Sequence, residues 1–435
     1  MLFRCRLFSV PLPLYFCLFL VLSGCNSSGT DPICTIDSKQ KLSCNGGYSY
    51  WISPLHATSE DILAITGVKK SRGTSQQWLA FLFNDLSEVI LEHRFSKQFK
   101  ADEHNAPAVL ALSQGRWLAA RTGHNNLSKS LHGIIEVTLF NKDLSVLQSI
   151  NLQTEAGSTY SQLATAEGKL YLLTRDKFKG WGVFISLDEG ITWSNWQQIN
   201  QTSGRKYALM KTESRPDQPF ERIIITTANH PLEQTQTIAY SYMDLAIDDP
   251  MRALTGDIRL GKTVASNSFK SLLQVSSESS SNIRLLDVYN DNDSSCHLYS
   301  SQNDVADQDK WQLNIIARNI ASESTKTYSV GSFSGVLGDN IYITGASIKS
   351  CHYVDGDTIE VFVTSKLEDT AEYKLSLISL DAQTGTVLSE NVLYTSEKKL
   401  YRPVFIKEFN YVMFNEAEYW HTYEDWLANQ IIIKL

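Results

Sequence analysis

Seven times along this chain a pair of apolar segments flanks a short polar turn, and that recurrence constrains the fold more than any other feature. The hairpins are WISPLHATSEDILAITG from Trp51, HNAPAVLALSQGRWLAARTGH from His104, YSQLATAEGKLYLLTR from Tyr160 and YALMKTESRPDQPFERIIITTANH from Tyr207. FKSLLQVSSESSSNIRLLDVYND from Phe269, SFSGVLGDNIYITGAS from Ser332 and RPVFIKEFNYVMFNEAEY from Arg402 complete the set. Successive starts lie roughly 45 to 70 residues apart, which leaves room for two more strands each time. Helical periodicity is almost absent, and the β-forming runs are separated by Gly, Asn, Asp and Ser. The expectation is an all-β chain, a seven-bladed β-propeller over residues 46–435, with six or eight blades as the neighbouring counts.

One turn supports this. SLDEGITW, from Ser186 to Trp193, matches the S-x-D-x-G-x-T-W Asp-box of sialidase-like and related propellers. Asp and Ser should cap such a turn, Gly take the positive φ, and Trp pack between strands.

The N-terminus sets the compartment. Arg4 and Arg6 precede an apolar run that ends at LSGC, residues 22–25, which resembles a lipoprotein signal with Cys25 as the lipidated residue. Asn26 then favours the outer membrane or cell surface, with residues 25–45 as a lipidated linker. The chain holds 39 basic and 47 acidic residues, and the first 24 contain two of the arginines and no acid, so the remainder stands at −10. So acidic a chain is a poor nucleic-acid binder. An anionic ligand would need cations gathered locally.

Of seven cysteines, Cys5 and Cys17 fall in the signal and Cys25 takes lipid. Cys34 and Cys44 enclose a short loop and are expected to pair, since an exported chain favours disulfides. Cys296 and Cys351 are each followed by histidine. Cys296, His297, Cys351 and His352 are therefore a candidate structural zinc set, with a disulfide or unrelated thiols as the alternatives.

In an antiparallel hairpin, facing residues have numbers that sum to twice the turn centre. His104 and His124 average to Gln114, in the turn SQGR, and should face each other at the open end. Tyr160 and Arg175 average to the EG turn of the next hairpin, and Tyr207 and His230 to RPDQP in the one after. The three pairs would share one channel mouth, with Arg205 and Lys206 adding positive charge. Asn105 and Asn125 should cap turns, and His56, His93, His132 and His421 read as surface or structural.

Such a set suits β-elimination from a uronate polymer. Arginine neutralises the carboxylate, and histidine or tyrosine moves the C5 proton and reprotonates the leaving oxygen. Glycoside hydrolysis would more often use two carboxylic acids across the bond, and only Asp102 and Glu103 lie near.

EHNAPAVLALSQGRWLAARTGHNN, STYSQLATAEGKLYLLTR and TTANHPLEQTQTIAYSY resemble blocks of the BNR-type propeller family that includes the ulvan lyases of polysaccharide lyase families 24 and 25. The resemblance implies cleavage of ulvan, a sulfated rhamnose and uronic acid polysaccharide, to unsaturated uronyl oligosaccharides. It makes His104 the catalytic histidine, His124 its partner, Tyr160 the catalytic tyrosine and Arg175 the carboxylate neutraliser. Tyr207 and His230 would contact substrate, with no cofactor in the chemistry. Where the family block reads closer to R-P-Y, this chain has GRKYALM, with Lys206 inside it. The competing readings are a non-catalytic glycan-binding lipoprotein, with aromatic residues such as Trp181 stacking on sugars, and a sialidase-like hydrolase, for which no F-R-I-P block is present.

Overall fold

A computed structural model describes residues 31–38, 41–49, 51–71, 74–96, 99–100, 102–124, 134–176, 178–200, 207–213, 221–229, 236–243, 270–275, 282–291, 293–302, 310–334, 345–352, 357–422 and 425–435. The chain is a seven-bladed β-propeller of seven small antiparallel sheets. The innermost strands of blades one to seven are His56–Ser59, Ala108–Ala111, Ser158–Ala166, Tyr207–Glu213, Asn282–Asn290, Ala346–Ser350 and Lys399–Ile406. They stand side by side around a central channel. The strands bury apolar side chains on both faces, because each blade is packed between two others, and Trp78, Trp117, Trp181, Trp420 and Trp426 are fully buried there.

Five of the seven expected hairpins form the inner half of a blade. The fifth and sixth do not. Residues Lys270–Val275 are the outer strand of blade four, and Asn282–Asn290 the inner strand of blade five. Thr325–Ser334 likewise closes blade five, and Ala346–Ser350 opens blade six. In both places a blade-to-blade crossover has the same apolar–polar–apolar pattern as a hairpin.

The linker expected at 25–45 is also corrected. Cys34–Ile36 and Leu42–Asn45 are the two outer strands of blade seven, with Leu42 paired to Ile432 and Asn45 to Asn429. Cys34 and Cys44 face each other across these strands and are disulfide-bonded, as expected.

The Asp-box folds as its residues dictate. Gly190 N and Asp188 N donate to Ser186 Oγ at 2.8 and 3.4 Å, and Thr192 N donates to Asp188 Oδ1 at 2.8 Å. Gly190 takes φ +90°, and Trp193 Nε1 donates to Gly190 O at 3.0 Å. This turn joins the outer two strands of blade three, whereas the polar hairpin ends lie on the inner strands.

Candidate functional site

Blade two's hairpin has the register that arithmetic requires. Ala108 faces Ala120 and Ala111 faces Trp117, centred on Gln114, which with Gly115 takes positive φ in the turn. At the open end, Asp102 caps a short 3-10 turn, Glu103–Asn105, by accepting from His104 N at 2.9 Å. Asn105 locks the two sides together, since its Oδ1 accepts from His124 N at 2.6 Å. Asn125 and His132 lie outside the described residues.

Asp102 is the residue that sequence reasoning missed. It is fully buried, and its two oxygens accept from His104 Nδ1 at 2.7 Å and His124 Nδ1 at 2.6 Å. An ionised carboxylate can only accept, so both Nδ1 atoms carry protons and further proton exchange by either ring falls to Nε2. The imidazole rings lie 4.6 Å apart. The D-E-H spelling was visible, yet only the tight turn shows Asp102 folding back between the rings.

The shared carboxylate is held far down the scale, to about 2, because the two imidazoles outweigh its burial. The rings themselves diverge. Burial disfavours the His104 imidazolium, but Glu103 and Asp102 more than offset it, and its pKa is raised. For His124 burial prevails, helped by His104 and Arg175 against Asp102, and its pKa is lowered. Glu103 Oε2 lies 3.7 Å from His104 Nδ1, and Glu103 Oε1 accepts from Arg402 at 3.2 Å. Arg402 also donates to Tyr48 O and packs over Trp420, at 4.7 Å from the ring centre.

Blade three adds Tyr160 and Arg175, but not as a facing pair. Arg175 pairs with Thr159, and the ladder slips before Gln162 resumes opposite Leu173. Tyr160 sits in this bulge with φ +66°, a conformation strained for an aromatic residue. The bulge aims its ring at the imidazoles, 5.4 Å from His104 and 5.7 Å from His124. The Arg175 guanidinium carbon lies 4.8 Å from the Tyr160 ring centre and 5.8 Å from that of Tyr207. Trp181 stacks behind Tyr160 at 5.8 Å and is fully buried, so it buttresses the tyrosine and cannot stack on a sugar.

Blade four brings Tyr207, which stacks on Trp51 at 4.4 Å. Its strand partner is Ala228, so the expected facing of Tyr207 and His230 is off by two residues because the turn centre is one position earlier. His230, Arg205 and Lys206 lie outside the described residues, as does Cys25.

The zinc set does not assemble. Cys296 and Cys351 form a disulfide between blades five and six, which uses both sulfurs. His297 points to the other face of its strand, as alternation requires, with Nδ1 3.3 Å from Thr226 Oγ1 and Nε2 3.2 Å from Ser295 Oγ. His352 is half-exposed, 3.7 Å from Asp291. Among the described residues, the one cluster with metal-ligand spacing is instead Asp102, His104 and His124, whose ligand atoms lie within 4.8 Å of one another.

No family model and no curated protein matches this sequence. Solved structures do. A polysaccharide lyase of family PL25, an ulvan lyase bound to -[GlcA(1-4)Rha3S]-, superposes with a TM-score of 0.58 at 12% identity, covering 89% of this chain and 93% of that one. The polysaccharide lyase Uly1 gives 0.52 at 11% identity, covering 92% and 94%. At these identities the likeness is one of fold, shared over nearly the full length of all three chains.

Proposed function

We propose that the protein is a polysaccharide lyase that cleaves a uronate-containing polymer, with ulvan as its substrate, by β-elimination. The observation that carries this reading is the single buried carboxylate of Asp102 holding two imidazoles beside a tyrosine and an arginine. Arg175 pairs with the uronate carboxylate and so makes the C5 proton more acidic. His124, the ring held toward its neutral form, takes that proton through Nε2. The C5–H electron pair forms the C4–C5 double bond as the glycosidic C4–O bond breaks. His104, the ring held toward its protonated form, gives the departing oxygen its proton; paired groups with opposite shifts are the usual mark of such a division. Tyr160, packed against both rings, is the proton carrier for the uronate epimer that presents C5 from the opposite face.

Supporting this over hydrolysis, the two nearby acids are already committed, Asp102 to the imidazoles and Glu103 to Arg402. The LSGC segment supports anchoring through lipid on Cys25, at the outer membrane or cell surface. Among the described residues no helix is long and apolar enough to cross a membrane.

The test is incubation of the protein lacking residues 1–24 with ulvan. Rising ultraviolet absorbance from the new conjugated double bond is expected, and it should vanish in His104→Ala, His124→Ala and Arg175→Ala. Wild-type protein that leaves ulvan and other uronate polymers unchanged overturns the proposal.

A further inference from the structure

Below the mouth, the central channel holds polar groups that the proton-transfer site does not use. A cavity of about 510 Å³ is lined by all seven inner strands and reaches the exposed Lys407 and Glu408. On the mouth side it is bounded by the stretch Ile52–Leu55, stitched across two neighbouring strands. Leu163 N donates to Ser53 O at 2.7 Å, and Val109 N donates to Pro54 O at 2.9 Å. Trp51, just before this stretch, faces the other way and stacks on Tyr207.

Three titratable groups from three blades line this space. Lys211 of blade four lines the cavity and is close enough to influence both His56 of blade one and Asp287 of blade five. Among the described residues the Lys211 side chain makes no contact ion pair or hydrogen bond. His56, read from sequence as surface or structural, has a buried Nδ1 with no hydrogen-bond partner there. It is pushed down to about 4 by burial and by Lys211, and so stays neutral, able to donate or accept. Asp287 accepts from Ile348 N at 3.0 Å and from Val288 N at 2.8 Å, while burial raises its pKa. Lys407 is engaged with Tyr289, and Arg402 with Glu103 and Tyr48.

Lys211 is part-buried and Asp287 offsets part of its charge, whereas the unmade hydrogen bond at the buried His56 Nδ1 is costly. A carboxylate set against Lys211, with a hydroxyl at His56 Nδ1, gives the ammonium a contact anion and fills the open hydrogen bond. Asp287 faces the same space, so the partner must be singly charged and must offer hydroxyl donors. A doubly charged phosphate would be repelled. We propose that this channel is a second binding site, distinct from the mouth, for a small hydroxy-carboxylate of the free uronic acid class.

The test is isothermal titration calorimetry of the full chain with D-glucuronate, with D-glucose and inorganic phosphate as controls. Glucuronate should still bind the Arg175→Ala protein, whose mouth has lost its carboxylate partner, while glucose and phosphate should not bind it, and adding Lys211→Met in that background should weaken glucuronate binding at least tenfold. Lys211→Gln and a melting curve guard against a variant that fails to fold. A second readout is the His56 ring signal in NMR, which should shift on adding glucuronate to the wild type. Absence of binding overturns the proposal, as does binding that survives Lys211→Met and is lost in Arg175→Ala, which would place the anion at the mouth. Because binding is read in the Arg175→Ala background, the result is independent of whether the mouth binds or eliminates uronate.

Discussion

His124 reaches Asp102 across the hairpin of blade two, Nδ1 to Oδ2 at 2.6 Å, while the other oxygen of the same carboxylate takes His104. One fixed acceptor thus sets the tautomer of both rings. Asp102→Asn keeps the shape but offers an amide in place of one oxygen, which leaves one ring in the wrong tautomer. Elimination from ulvan should fall by about 100-fold or more, within the range ascribed to a positioned acid or base. NMR titration should show both imidazoles with lowered pKa values. Unchanged titration curves would show that Asp102 does not govern the rings.

Glu103 is the leading influence that raises the His104 pKa against burial. Glu103→Gln removes that charge while keeping a partner for Arg402. The His104 imidazolium should then lose its proton at lower pH, and the alkaline limb of the kcat/KM profile should move down. The acid limb, set by the neutral form of His124, should stay in place. A shift of the acid limb alone would contradict the assignment of His104 as the donor.

His297 is fully buried between blades four and five and pushed down to about 3 by burial, with Arg318 adding to it. Its unfolded pKa is about 6.5. It is neutral inside and binds a proton on unfolding, so its contribution is complete above about pH 6.5 and declines as the pH falls toward its folded pKa. Melting temperatures measured from pH 7.5 down to 4 should drop steadily. His297→Gln should flatten that slope, and an equal slope in both proteins would assign the effect elsewhere.

The Cys296–Cys351 bond closes a loop of 55 residues. Replacing both by Ser should cost about 2–4 kcal/mol of stability, the usual range for such a link. Thiol titration of the denatured, unreduced protein should find neither residue free, and elemental analysis should show no zinc lost in the double variant. One zinc per chain that disappears with the substitutions would restore the metal reading.

Much of this molecule was legible before any coordinate. The blade count follows from the spacing of the seven segments even though two of them are crossovers, and the facing of His104 and His124 follows from counting about Gln114, because antiparallel partners keep a constant sum of residue numbers. The same arithmetic failed where that constancy breaks. A bulge at Tyr160 shifts its strand against Arg175, and nothing in STYSQL marks a bulge. Crossovers that carry apolar residues on both sides, as at Val275 and Ser334, are indistinguishable from hairpins by pattern alone. Asp102 is visible beside His104, but its role depends on a three-residue turn that folds it back between two rings, a contact no spacing rule contains. Cys296 and His297 were read together as ligands although they point to opposite faces, which the strand period itself disfavoured.

The outer strands of blade seven come from the start of the chain and pair with its end, Leu42 against Ile432. Order of synthesis gives this pairing a cost in time. Residues 34–45 are made before residues 425–434, so the seam between them can close only after the strands of blade seven exist. So distant a pairing slows folding and leaves a bare strand edge exposed in the interval. The Cys34–Cys44 bond ties these two strands to each other, so once it is made they meet the seam as one hairpin and not as two separate strands.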